Sequence, residues 1–242
     1  MDSSPNSYNL HQEIVIDEAI IGYKGSKAGI PTVFIHSKPR SKGFKVYVLA
    51  DAVSNYIICI RFMTVSAITD RKGDRKTHDL CVDMISHVQG FNHILYTDSF
   101  YTSPDLAMTL LNNHHTFLIG STRPTRKGMP TCLKASDKNP DSKRIKRLER
   151  GQFVSRQKGD LVVVVWKDSK LFTALTTCKE GFRTRGERLV RYVKNKESHK
   201  RVTYTVPAPE VIENYNQFMG GVDRANQLRA YYTSQRQTHK WW

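Results

Sequence analysis

Residues 93–104 read HILYTDSFYTSP, an apolar run that ends at Asp98 and leads into a proline. Residues 93–97 carry the Ile, Leu, Tyr and Thr side chains typical of a β-strand. Ser103 and Pro104 have the form of a helix N-cap followed by a first-turn proline. Open α/β sheets place reacting groups at the carboxyl ends of strands, just before a helix. Asp98 therefore either serves chemistry at a strand end or only caps a turn, and this segment alone leaves both open.

The flanking sequence predicts further strands and helices in a regular order. The predicted elements are strands at 14–21, 44–51, 56–65, 93–97 and 117–121, with helices at 79–88 and after Ser103. The first three strands follow one another as an antiparallel meander, after a loop-like stretch at 22–39. Strand, strand, strand, helix, strand, helix, strand is the order of a ribonuclease-H-like fold. We therefore predict an α/β protein with a ribonuclease-H-like mixed five-stranded sheet and flanking helices.

The composition changes after residue 122 and changes again near residue 210. More than half of the Lys and Arg residues lie in 123–205. Short strands are predicted there at 152–155, 161–166 and 171–176, with the charge runs at 143–147 and 183–201 outside them. From 211 the pattern is helical, with an interruption at Gly220-Gly221. We predict a ribonuclease-H-like core, first part (1–122), a basic β-rich insertion domain (123–209) and a helical return to the core (210–242).

Charge and cysteine content limit the classes of partner and compartment. The chain has 242 residues, with 38 Lys and Arg against 22 Asp and Glu and a formal net charge of +16 at pH 7. This excess predicts a polyanionic partner, with nucleic acid the first candidate and a solvated basic surface the alternative. The four cysteines form no Cys-x-x-Cys pair, which favours a reducing compartment over a zinc or redox motif. No apolar stretch reaches the length of a membrane span, so we expect no membrane partner.

Three aspartates are candidates for a metal site. Asp17 interrupts an apolar strand, where an unpaired carboxylate would be costly. The first and fourth strands of a ribonuclease-H-like sheet are neighbours, so Asp17 and Asp98 can meet. Gly220-Gly221 allows close backbone approach before Asp223 opens a helix, although Asp223 alone also fits a helix N-terminal charge. Converging carboxylates of this kind hold the paired divalent ions of phosphodiester chemistry.

Two other acidic residues near these strands have ordinary interpretations. Glu18 would point to the face of the first strand opposite Asp17 and is predicted to be a surface group. Asp51 ends the second predicted strand and is interpreted as a turn, cap or surface residue. Neither is therefore included among the candidate metal ligands.

Several sequence blocks follow one another in a specific order. The blocks are Ile16-Asp17-Glu18-Ala19 with Gly22-Tyr23-Lys24-Gly25, Lys38-Pro39 with Lys42-Gly43-Phe44-Lys45-Val46-Tyr47, Thr97-Asp98-Ser99-Phe100-Tyr101-Thr102-Ser103, Tyr215-Asn216 with Met219-Gly220-Gly221-Val222-Asp223, and residues 234–242. In this order, and over nearly the whole chain, they resemble the piggyBac transposase and piggyBac transposable element-derived protein family.

The resemblance implies a DDE/D transposase core with a β-rich insertion. Asp17, Asp98 and Asp223 would then be the catalytic triad that holds Mg²⁺ or Mn²⁺. The implied activity is DNA cleavage and strand transfer by cut-and-paste transposition, through hairpin ends and with integration at TTAA. The implied partner is DNA, with a homodimer in the full-length family, and we expect a nuclear location.

Two departures from the family pattern bear on activity. Asn226 stands where the family commonly has a further acidic residue; as a metal ligand it would offer a carbonyl oxygen without charge. The family's N-terminal helical region and C-terminal cysteine-rich domain have no counterpart in the 242 residues, so we expect a fragment, a truncated gene model or a decayed copy. A transposon-derived DNA-binding protein without catalysis is therefore the main alternative, and a ribonuclease-H-like nuclease acting on RNA is a third.

Basic residues distributed over the chain are the predicted DNA contacts. They are Lys42, Lys45, Arg123, Arg126, Lys127, Lys143, Arg144, Lys146, Arg147, Arg236 and Lys240, joined by Trp241. The insertion is expected to bind phosphates without base readout, and therefore with a steep salt dependence. For Trp241, packing in a helix core and stacking on an unpaired base both remain open.

Overall fold

The computed structural model describes residues 8–23, 32–34, 42–63, 75–88, 90–133, 140–178, 187–194 and 201–232. The strands are β1 (Glu13–Gly22), β2 (Thr32–Phe34), β3 (Lys42–Asp51), β4 (Ile57–Phe62), β5 (Ile94–Thr97), β6 (Phe117–Ser121), β7 (Phe153–Lys158), β8 (Leu161–Lys167), β9 (Leu171–Thr176), β10 (Glu187–Lys194) and β11 (Arg201–Pro207). The helices are α1 (Arg75–Ile85), α2 (Pro104–His114), α3 (Pro140–Lys146), α4 (Glu210–Phe218) and α5 (Gly221–Tyr231).

The first five predicted strands pair as a ribonuclease-H-like sheet requires. β1 is antiparallel to β3, which also pairs with β4, and β1 is parallel to β5. β5 is in turn parallel to β6. The spatial order β4-β3-β1-β5-β6 therefore confirms the predicted fold class, because the meander lies on one side of β1 and the two crossover strands lie on the other.

The sheet is larger than the five strands expected from the sequence. β9 pairs antiparallel with β6, and β8 and β7 follow, so the described sheet has nine strands in the order β2-β3-β1-β5-β6-β9-β8-β7, with β4 paired to β3. The strands predicted for the basic insertion thus continue the core sheet at the edge of β6. β10 and β11 pair with each other in a separate two-stranded sheet. The domain boundaries at 122 and 209 stay a prediction.

Two apolar layers cover the sheet. Along β1, Ile14 and Ile16 face a layer that includes residues of α1 and α2, such as Met84 and Leu106. Val15 faces the opposite layer, which includes residues of α4 and α5. Because successive side chains of a strand point to opposite faces, Asp17 belongs to the α4–α5 face and Glu18 to the α1–α2 face.

Three described elements lie in segments that were predicted as loops or charge runs. β2 lies within 22–39, α3 covers most of the charge run at 143–147, and β10 lies within 183–201. α3 buries only Ser142 and Ile145, so its apolar signal is too short to outweigh its charge. All four cysteines are free. In the described part of the chain, no helix is long and apolar enough to cross a membrane.

Candidate active site

Asp17 and Asp98 occupy matching positions on two adjacent parallel strands. Ile16 of β1 pairs with Thr97 of β5, and the residue that follows each of them in the sequence is an aspartate. Adjacent strands lie about 5 Å apart. Both carboxylates are half-buried. The sheet therefore brings the first two predicted site residues to neighbouring positions at the carboxyl end of β5.

Hydrogen bonds hold the loop that follows Asp98 in one shape. The Thr102 hydroxyl is buried and donates to the Asp98 carbonyl oxygen at 2.8 Å. Arg126 donates to the Thr102 carbonyl at 3.0 Å and to the Phe100 carbonyl at 2.7 Å. The Phe100 N–H donates to Asp98 Oδ1 at 2.8 Å. The Asp98 carboxylate is thus fixed through its own backbone and through one of its oxygens.

The surroundings of Asp98 oppose its charge. Burial raises the pKa of its carboxyl above the usual range, and the negative charge of Glu18 adds to the increase. The Phe100 N–H and the Lys45 ammonium act in the opposite direction. A cation bound at this carboxylate would favour the charged form, because it supplies the opposite charge that the surroundings provide only in part.

Tyr215 of α4 lies within electrostatic reach of both carboxylates. Its hydroxyl donates to Ser121 Oγ at 3.1 Å. Burial raises the pKa of Tyr215, and the charges of Asp98 and Asp17 contribute to that increase. The alternation of side chains along β1 independently assigns Asp17 to the face covered by α4 and α5.

Glu18 is not the surface group that the sequence suggested. Its side chain is 24% exposed, and Oε1 accepts from Lys45 Nζ at 2.7 Å; the Lys45 side chain is 16% exposed. The Lys45 ammonium also lies 5.1 Å from the centre of the Phe100 ring. Glu18 is partly covered because Ile20 of β1 pairs with Lys45 of β3. Lys45 and Glu18 therefore project from the same face of neighbouring strands.

Asp223 lies in the first turn of α5, which packs against β1. Gly221, Val222 and Ala225 are the buried residues of this helix. At about 100° per residue, Asn226 lies on the flank opposite Arg224, and Asp223 lies further toward solvent on that side. Asp223 is exposed and Asn226 is half-buried. Arg224 faces the turn after β3, so Asn226 lies on the flank of the helix away from that turn, and Asp223 points mainly to solvent.

The residues fit a hard divalent cation in their chemistry, because each of the three aspartates offers carboxylate oxygens. Among the residues that the structure describes, no three His, Cys, Asp or Glu side chains are drawn together into a group that could hold a metal ion. The convergence of Asp223 with Asp17 and Asp98 therefore stays a prediction, as does the identity of the ion.

The predicted DNA contacts fall into groups. Lys45 and Arg126 are engaged within the protein, as described above. Arg123 lines a cavity of about 330 Å³ beside Ser99. An open groove of about 780 Å³ is lined by Pro140, Lys143, Arg144, Arg147, Leu148, Gly151, Gln152 and Phe153. Lys42, Lys127 and Lys146 are exposed. Arg236, Lys240 and Trp241 lie outside the described residues.

The sequence analysis did not predict the roles of two residues near the site. Thr102 supports the Asp98 loop, and Arg224 connects α5 to the turn after β3. A threonine four residues after a strand-end aspartate is a weak local signal. The partners of Arg224 are 169 and 172 residues away, so no local pattern could have indicated them.

Comparison with known proteins gives two consistent results. The family model described as "Transposase IS4" matches residues 3–242. A cryo-EM structure described as a piggyBac transposase synaptic complex with hairpin DNA superimposes with a TM-score of 0.72 at 24% sequence identity. The match covers 97% of this chain and 43% of the other, so the chain spans less than half the length of the protein it resembles.

Proposed function

The chain belongs to the Transposase IS4 family, and we propose that it is the catalytic domain of a piggyBac-type transposase, which cleaves and joins DNA with a divalent metal ion. One observation carries the proposal. Asp17 and Asp98 directly follow a registered residue pair on adjacent parallel strands. Within this family's fold, that edge of the sheet is where phosphodiester chemistry would occur.

The roles of the individual residues follow from their chemistry. Asp17, Asp98 and Asp223 would hold Mg²⁺ or Mn²⁺, with Asn226 as a neutral oxygen ligand. A bound pair of ions would activate the attacking hydroxyl and stabilise the leaving oxygen. Thr102 and Arg126 would keep the Asp98 carboxylate in one orientation, which shortens the rearrangement needed when DNA arrives.

DNA is the proposed partner, and the nucleus is the proposed location. The net charge of +16 and the groove at Lys143, Arg144 and Arg147 support phosphate binding. The similar structure is described as holding hairpin DNA. For this chain we propose hairpin-ended cleavage and integration at TTAA, by a homodimer, as extensions of the same assignment.

A second function competes with the first, namely DNA binding without catalysis. Asp223 is exposed, and position 226 carries an amide in place of a carboxylate. Within the described ranges, three acidic, His or Cys side chains do not come together as a metal-binding group. These features support a transposon-derived DNA-binding protein without catalysis as the second candidate, and the two functions differ in metal-dependent DNA cleavage.

Nicking of a supercoiled plasmid in Mn²⁺ separates the two functions without knowledge of the transposon end. We expect the 242-residue chain to nick the plasmid only with metal present. Asp17→Asn and Asp98→Asn should abolish nicking while they leave plasmid binding in place. Asp83→Asn is the matched control, because Asp83 is exposed and pairs with Arg61 on the opposite layer.

Plasmid binding without metal-dependent nicking would assign the non-catalytic function instead. Nicking that survives in both aspartate variants would place the chemistry elsewhere, or in a contaminant. An RNA·DNA hybrid tested in parallel covers the third alternative, and cleavage of the RNA strand alone would support an RNA nuclease.

A further inference from the structure

The turn between β3 and β4 is held rigidly by a buried carboxylate. The Asp51 side chain is fully buried, and Oδ1 accepts from the backbone N–H groups of Val53 and Ser54, each at 2.9 Å. Its other oxygen accepts from the His11 N–H at 2.9 Å. Asn55 ends the turn with a positive φ of 66°, a conformation that Asn tolerates better than most residues. Residues 51–55 therefore form a fixed platform.

Arg224 of α5 attaches to this platform by two hydrogen bonds. Its Nε donates to Asn55 Oδ1 at 2.9 Å, and Nη2 donates to the Ala52 carbonyl at 2.8 Å. Two parallel bonds from one planar guanidinium restrict both the position and the rotation of the helix. The attachment is on the first full turn of α5, one residue after Asp223.

Close packing of the α5 backbone at Gly221 supports the same attachment. A Cβ placed on Gly221 would lie 2.7 Å from Val15 Cγ1 and 3.1 Å from Ala52 Cα. The helix backbone thus rests directly on β1 and on the platform. The contact is tight at Gly221 and hydrogen-bonded at Arg224, so α5 is held against the sheet at two points of its first turn.

We infer that Arg224 is a positioning residue, which acts through Asp223 and Asn226 by locking the rotation of α5. Arg224 faces the 51–55 platform, and Asn226 lies on the opposite flank of the helix. Releasing the arginine would let the first turn of α5 rotate and change the direction of the Asp223 carboxylate, which the proposed metal site requires to be fixed. The link to metal binding rests on the proposed function, whereas the lock itself does not.

The experiment uses a pair of substitutions at Asn55. Asn55→Gly keeps the positive φ but removes the acceptor for Arg224, and Asn55→Asp keeps an acceptor there. Arg224→Ala removes the whole attachment, and Arg224→Lys cannot make both bonds. Arg229→Ala is the charge-matched control on the same helix, since among the described residues the exposed Arg229 side chain makes a single long hydrogen bond, 3.4 Å to the Ile20 carbonyl.

The hydrogen-exchange rates of the α5 backbone amides measure directly how firmly Arg224 holds the helix. We expect Asn55→Gly, Arg224→Ala and Arg224→Lys to speed exchange at residues 221–228, with β1 and β5 unchanged. Asn55→Asp and Arg229→Ala should exchange as the wild type does. Unchanged α5 exchange in Asn55→Gly and Arg224→Ala, or an equal effect in Arg229→Ala, would overturn the inference.

Mn²⁺ titration followed by electron paramagnetic resonance then tests whether the lock acts on Asp223. The expected result is about a 10-fold loss of Mn²⁺ affinity in Asn55→Gly and Arg224→Ala, the usual size for residues that orient a ligand, with recovery in Asn55→Asp. Faster exchange with unchanged affinity would overturn the positioning role. If the wild type binds no Mn²⁺, the metal part of the proposed function fails. The hydrogen-exchange result alone then decides whether Arg224 fixes the rotation of α5.

Discussion

Thr102 is the residue on which the Asp98 loop closes. Its hydroxyl lies 2.8 Å from Thr97 Oγ1 as well as from the Asp98 carbonyl oxygen. There is no room for adjustment, because a Cβ on Gly120 would lie 2.1 Å from the Thr102 hydroxyl. A hydroxyl in so confined a place fixes the loop and at the same time satisfies buried polar atoms.

Thr102→Val should therefore destabilise the protein although it keeps the size of the side chain. The Asp98 carbonyl still accepts from the Tyr101 and Thr102 N–H groups, but the buried Thr97 hydroxyl loses this partner. That loss costs about 1–2 kcal/mol of unfolding free energy, measured by urea denaturation. Thr102→Ser is the control, because it keeps the hydroxyl and loses only a methyl group. A valine variant as stable as the wild type, or a serine variant that is the less stable of the two, would contradict the assignment.

Asp51 is a second residue whose environment can be tested, in this case through pH. Although burial disfavours its charge, hydrogen bonds from the backbone and side chain of His11 and from the Ser54 and Val53 N–H groups lower its pKa from 3.8 to about 2. A carboxylate with a lowered pKa stabilises the fold above its unfolded value, and that stability is lost as the pH falls through the folded value.

The expected loss for the wild type between pH 5 and pH 2 exceeds that for Asp51→Asn by about 2 kcal/mol, which corresponds to the shift in pKa. Unfolding free energy at several pH values checks this, with Asp51→Asn compared at each. Parallel curves for the two proteins would show that Asp51 does not carry this part of the acid sensitivity.

At the scale of single residues, the sequence predicted the backbone position of the candidate site but not its support. Asp17 interrupts an apolar strand and Asp98 ends another, and both features are local. Glu18 was predicted to be a surface group because its partner Lys45 is 27 residues away in the sequence. Only the register of β1 with β3 brings the two side chains together. Asp51 was expected to have a turn, cap or surface role; it does begin a turn, but its side chain is fully buried and accepts from the His11 N–H, 40 residues away.

Helix α5 is the element whose placement matters most for the third aspartate. Its two leading glycines differ in surroundings. At Gly221 an added Cβ would meet Val15 and the Ala52 backbone, whereas at Gly220 the nearest atom is Arg224 Nη1 at 3.4 Å. Only Gly221 is therefore required by close approach of the helix to the sheet.

Gly221→Ala should destabilise the protein by about 1–3 kcal/mol, the usual cost of forcing extra volume into a packed contact. Gly220→Ala should change stability by less than about 0.5 kcal/mol. Thermal or urea unfolding of the two variants measures the difference. If both alanines cost the same, the helix is free to lift from β1 and the packing at Val15 does not fix it.

Elements with a strong apolar period were predictable, and those without one were not. The predicted helix after Ser103 is present as α2, with Ser103 Oγ accepting from the Leu106 N–H at 3.1 Å. Strands β8 and β9 match the predicted ranges within one residue. β10 was missed because its charged residues interrupt the apolar ones without a strict alternation, and the same charges were interpreted as a basic loop.

For the molecule as a whole, the unpredicted feature is the continuation of the sheet beyond β6. Gly120 of β6 pairs with Leu175 of β9, a contact between distant parts of the chain that no local pattern encodes. The insertion strands thereby share one sheet with the strands that carry Asp17 and Asp98. The basic helix α3, between β6 and β7 in the chain, packs through Ile145 into an apolar layer on the same sheet, as the proposed binding of one DNA by both regions requires.

The last prediction concerns the charge of the whole molecule and where it acts on DNA. Arg144→Gln with Arg147→Gln removes two cations from the groove beside Phe153, and Lys158→Gln with Arg229→Gln removes two exposed cations elsewhere. Both pairs lower the net charge of +16 equally.

Each phosphate contact contributes about 0.9 to the slope of log affinity against log salt. The groove pair should therefore flatten the slope by about 2 on any duplex sequence, and the control pair should leave it nearly unchanged. Fluorescence anisotropy over a salt series measures both slopes, and equal flattening by the two pairs would mean that DNA responds to overall charge rather than to this groove.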